Sequence, residues 1–134
     1  MFTRDGVQYA FHHMGIPTQE IKPDERYNAR FRMFSSDSMC GVIRVQWHRF
    51  EAGSSIDPLI QTVPHAAFKV SDLAQALEGH TILLGPYEPI EGFRVAIVED
   101  GGIPVEFIET TLSDDEIWRR AKSQPSFLPD PEIK

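Results

Sequence analysis

The sequence holds a single cysteine, Cys40, among 134 residues. One thiol excludes an intrachain disulfide and a cysteine-rich zinc cluster. Cys40 lies in a turn with no local base to activate it, so it reads as structural. The chain also has no apolar run near the roughly 20 residues that a membrane helix needs. Its first 13 residues lack the apolar core of a secretory signal. Basic charge is short: 13 Lys and Arg stand against 20 Asp and Glu, for a formal net charge of -7. Nucleic-acid phosphates and anionic membrane surfaces both call for the opposite sign. Neither a phosphate-cradling glycine loop nor a nucleophile elbow occurs. These absences leave a soluble, cytoplasmic protein that handles a small molecule, with no nucleic-acid or membrane partner.

What is present is an adequate core and a compact pattern. Hydrophobic residues make up 41% of the chain, enough for one domain or for two small halves that share an interior. The clearest stretch is residues 63–110. It reads as a strand at 65–70, a short helix at 72–77 with Ser71 as its cap, a strand at 80–84 ended by Gly85-Pro86, and strands at 92–98 and 103–109. Leu73, Ala76 and Leu77 give that helix one apolar face. Asp100-Gly101-Gly102 supplies the positive φ of a tight hairpin turn. In strand geometry Glu106 and Ile108 share a face, opposite Val105 and Phe107.

The first half is a rougher version of the same plan. Residues 8–16 and 29–35 read as strands, with a loop at 18–28 because Pro23 breaks helix. Ser, Asp and Gly at 36–41 read as a turn. Residues 42–50 form the strongest strand of this half. There Val45 and Trp47 share one face, and Arg44, Gln46 and His48 the other. The polar face reads as solvated or as the lining of a wet cavity, and Trp47 as core against a helix. Residues 51–62 form a linker, with a helical turn at 58–61. Ser113 and Glu116 form a capping box for a helix over 114–123, with acidic residues first and basic residues last. The proline-rich end reads as irregular.

Aligning His13 with His65 and Gln46 with Glu106 lays residues 41–50 over 101–110, an internal duplication of low literal identity. The cues are His13-Met-Gly, His65-Ala-Ala-Phe-Lys-Val-Ser-Asp-Leu, and Glu99-Asp-Gly-Gly-Ile-Pro-Val-Glu-Phe-Ile-Glu. In these the chain resembles the vicinal oxygen chelate superfamily, which includes glyoxalase I, methylmalonyl-CoA epimerase, extradiol dioxygenases and bleomycin-resistance proteins. The resemblance covers roughly residues 8–110. It implies an α+β fold in which two paired βαβββ modules, about 8–50 and 63–110, form a cupped mixed sheet, followed here by a C-terminal helix. It implies a divalent ion (Zn, Ni, Fe, Mn or Co) held by His13, Gln46, His65 and Glu106. His12 competes with His13, since a one-residue slip flips the face, and His48 is the alternative to Gln46. Glu106 and His48 are the candidate proton-transfer residues. The implied activity is a glyoxalase-like isomerase, epimerase or lyase acting on a small oxygenated substrate, in a homodimer. Two other activities of the superfamily stay open: an extradiol Fe(II) dioxygenase, and a non-catalytic binding protein whose aromatics Phe31, Phe34, Trp47, Tyr87 and Phe93 hold a ligand. Arg44 and Arg94 are candidate readers of a ligand's carboxylate or phosphate.

Overall fold

The computed structural model describes residues 1–38 and 41–122. Cys40 and the proline-rich end lie outside them. Among the described residues nine strands form a single sheet. They are β1 (Phe2–Arg4), β2 (Val7–Pro17), β3 (Arg26–Asn28), β4 (Met33–Ser38), β5 (Val45–Phe50), β6 (His65–Val70), β7 (Thr81–Ile90), β8 (Phe93–Asp100) and β9 (Ile103–Thr110). Three helices accompany them: α1 (Pro58–Thr62), α2 (Leu73–Leu77) and α3 (Asp114–Lys122). The strand order is β3-β4-β5-β2-β6-β9-β8-β7, with β1 paired to β2. Each half therefore places its first strand beside its last: β2 runs parallel to β5, and β6 parallel to β9. The halves join where β2 pairs antiparallel with β6. This is the α+β fold of curled mixed sheet and short helices that the sequence implies.

The second half follows its pattern closely. Val105 and Phe107 pack with Leu73 and Ala76 of α2, as their alternation requires. Asp72, rather than Ser71, caps α2, accepting from Gln75 N at 3.0 Å, while the Ser71 hydroxyl accepts from Gln8 N at 2.9 Å. The hairpin between β8 and β9 turns on Gly101 and Gly102, at φ 63° and 89°, a conformation that costs a side-chain-bearing residue far more. β7 runs on through Gly85-Pro86 to Ile90, although its register against β8 shifts there.

The first half departs where it lacks a helix. Nothing helical lies between β2 and β3, so Trp47 stays half-buried, with the Lys22 ammonium 4.2 Å from its ring centre. The lysine covers the aromatic face that a helix would otherwise cover. Residues 36–38, read as a turn, are the end of β4. Ser35 and Asp37 lie opposite His48 and Gln46 on β5, and those cross-strand partners let a polar segment form an interior strand. Gln46 and His48 are buried, so the polar face of β5 looks into the cup.

α3 closes the cup. Ser113 caps it by accepting from Glu116 N at 3.2 Å, while the Glu116 carboxylate pairs with Arg119 and Arg120. Ile117 and Trp118 pack on Ala67, Val95 and Ile108 of the sheet.

Candidate metal centre

The register brings the candidates into two adjacent rows. Gln46, Gly15 and His65 are lateral neighbours across β5, β2 and β6. His13, Ala67 and Glu106 are neighbours across β2, β6 and β9. Laterally paired residues point to the same face of a sheet. His13 would miss this face under strict alternation, since Val7 and Tyr9 pack on the α2 side. A bulge between Phe11 and His13 changes the phase, and re-aiming a side chain is a common use of a bulge. Both histidines are consequently buried. Their Nδ1 atoms lie 2.8 Å apart. His13 joins His65 and Glu106, whereas His12 stacks on Trp118 at 5.5 Å and reaches Asp114 at 3.3 Å.

One ligand atom from each of His13, His65 and Glu106 falls within 4.8 Å of the others. His65 Nε2 is 3.1 Å and His13 Nε2 3.7 Å from Glu106 Oε1. Ligand atoms each about 2.1 Å from a shared ion would stand roughly 3 Å apart, so little movement separates this group from a coordination sphere. Relative exposures of 0%, 1% and 2% place all three inside. Burial, with the imidazoles of His12, His65 and His48 and the Arg44 guanidinium, holds His13 well below the usual histidine range. His13 is therefore neutral at neutral pH, the form that binds metal. Glu106 Oε2 is buried with no hydrogen-bond partner among the described residues. Two imidazoles and a carboxylate suit a divalent transition ion, and this group could hold one.

Gln46 and His48 border the centre. The Gln46 amide donates to Asp37 at 3.2 Å, and Asp37 pairs with Arg26 at 2.9 Å. The His48 ring stacks on His65 with centroids 5.9 Å apart, and its Nδ1 lies 2.9 Å from the Ser35 hydroxyl. Burial first, then His65 and Arg26, lower the His48 pKa well below the usual range. The Arg44 guanidinium lies 5.2 Å from the Trp118 ring centre; Arg94 is exposed. Sequence reasoning passed over Ser35, Asp37 and Arg26, which support Gln46 and His48 from the neighbouring strands. Only the pairing of β4 with β5 reveals them.

The curled mixed sheet is a fold that solved structures share. No protein-family model and no curated protein matches the sequence. Among solved structures, the chain is similar to the hypothetical protein BH1468 from Bacillus halodurans C-125, with a TM-score of 0.58 and 16% identity over 78% of this chain and 96% of that one. It is similar also to methylmalonyl-CoA epimerase from Mycobacterium tuberculosis, with a TM-score of 0.51 and 15% identity over 77% of this chain and 89% of that one. At such identities the likeness is one of fold.

Proposed function

We propose that this chain is a metal-dependent enzyme of the isomerase, epimerase or lyase type, acting on a small oxygenated substrate. The carrying observation is the buried His13, His65 and Glu106 group, whose ligand atoms converge within 4.8 Å. The likeness to a structure named as an epimerase supports the same reading. A divalent ion held by these residues would supply Lewis acidity to a substrate carbonyl. The protein supplies the rest. His48 is the proton acceptor: a hydrogen on Nδ1, donated to Ser35, leaves the Nε2 lone pair available, and burial keeps the ring neutral. Gln46, in the same row as His65, offers an amide oxygen as a fourth donor. Glu106 offers Oε2 for a second proton transfer. α3 and its Trp118 exclude water from the cup.

Elemental analysis of protein purified without chelator should find about one equivalent of a transition metal per chain. His65→Ala should lose it. Unchanged metal content in that variant would remove the site from consideration. Iron as the native metal would favour the ring-opening dioxygenase, because two histidines and one carboxylate also make the donor set of non-haem Fe(II) oxygenases. A protein that carries no metal and takes up none on titration would instead be a binding module.

A further inference from the structure

The two halves of the cup differ in chemistry. On the β3-β4-β5 side its face carries Arg26, Ser35, Asp37, Gln46 and His48. On the β7-β8-β9 side it carries Val95, Ile97 and Ile108 around Glu106. Tyr87 stands on this apolar side. It is the lateral neighbour of Val95, which pairs with Ile108, two residues along β9 from Glu106. The Tyr87 ring packs into the clusters around Phe93 and Met33 and lies edge-on to Phe31 at 6.4 Å.

The Tyr87 hydroxyl is buried and has no hydrogen-bond partner among the described residues; neither has His48 Nε2 or Glu106 Oε2. A buried polar atom left without a partner costs about 1–3 kcal/mol, and buried tyrosine hydroxyls usually find one. Three such atoms on one face of one sheet indicate a polar occupant. A phenylalanine at position 87 would fill the same apolar niche without that cost, so packing does not account for the hydroxyl.

We propose that Tyr87 is a substrate-binding residue, its phenol donating a hydrogen bond to an oxygen of a small ligand seated in the cup with His48 and Glu106. This rests on the metal-dependent reading and adds a specificity to it. The ligand carries an oxygen acceptor directed at the apolar half of the cup, in addition to the oxygens directed at His13, His65 and Glu106. Burial first, and then the Glu106 charge, hold the phenol well above its ordinary range. Tyr87 therefore remains a donor, able to stabilise negative charge developing on that oxygen.

The probe is oxalate, a small molecule with two adjacent oxygens to face the metal-binding group and two more to accept a hydrogen bond, titrated calorimetrically into metal-loaded wild type and Tyr87→Phe. Folding of the variant is checked by near-ultraviolet circular dichroism, and its metal content by elemental analysis. The variant should keep its metal and bind the probe about 10-fold more weakly. The probe should also perturb the tyrosine absorbance of wild type, and that difference spectrum should vanish in Tyr87→Phe. Equal affinity together with an unchanged difference spectrum would overturn the proposal. If wild type holds no metal, the reading above fails on its own. Titration of the metal-free protein then decides this one: Tyr87-dependent binding of the probe upholds it, and no binding overturns it.

Discussion

Gly15→Ala is expected to abolish metal binding and to destabilise the fold, although it adds a single methyl group. A Cβ at Gly15 would lie 2.0 Å from His65 Cε1, 2.3 Å from Nε2 and 2.7 Å from Nδ1. The φ of Gly15 is not positive, so the cost is steric and none of it is backbone strain. The imidazole lies across β2 where a side chain would otherwise stand. It cannot retreat far, because the His48 ring stacks beside it and Glu106 Oε1 holds its Nε2. β2 cannot retreat either, since it is paired on both sides, with β5 and with β6. Overpacking of this kind costs about 1–3 kcal/mol. Metal affinity should fall at least about 100-fold, because a ligand displaced by even an ångström leaves the coordination sphere. Calorimetric metal titration and urea unfolding of the metal-free variant measure the two effects separately. Wild-type metal affinity in Gly15→Ala would show that His65 is not a ligand.

Acid should unfold the metal-free protein more steeply than carboxylate titration alone explains. His13 and His48, 0% and 2% exposed, have pKa values held well below the usual histidine range, mainly by burial. Unfolding restores an ordinary value near 6.5. Between the folded and unfolded values the unfolded chain binds more protons, so stability rises with pH there. The contribution is complete above about pH 6.5 and is lost as pH falls toward the depressed folded values. Each group adds a slope of roughly 1.4 kcal/mol per pH unit inside that window. Urea midpoints at a series of pH values between 7.5 and 5, in the presence of chelator, would show about two protons taken up on unfolding by these rings, with His12, also lowered by burial, adding to them. His48→Gln should remove about one of them. A flat profile above pH 5 would mean that these rings are not neutral and buried in solution.

The half with the fuller pattern was the more legible. β6, α2, β8 and β9 follow from alternation, helical spacing and a glycine turn, and with them the positions of His65 and Glu106. The first half hid more, for identifiable reasons. Alternation assigns a face only while a strand stays regular, and the bulge at His12 defeats it, so the residues alone could not choose between His12 and His13. Ser36, Asp37 and Ser38 look like turn residues because turn chemistry and a polar interior strand use the same side chains. Trp47 looks like core because nothing in its own strand reports the missing helix. Ser71 and Asp72 are both sound helix caps, and the choice fell to Asp72 because Gln8, 63 positions away, engages Ser71.

The bulge in β2 has a further consequence. One strand serves two interiors: Val7 and Tyr9 belong to the cluster over α2, and His13 to the cup. What keeps both assignments true is the parity of the chain between Tyr9 and His13 taken together with the bulge that absorbs its odd residue. Substituting His12 would alter one side chain and leave that parity intact. Deleting it would remove the bulge and join the Phe11–Phe68 and His13–Ala67 pairs into an even ladder, with Tyr9 and His13 still on opposite faces. The extra residue adds a histidine rather than a face: a relative one residue shorter here should keep both interiors and lose only the bulge, along with the ring that stacks on Trp118.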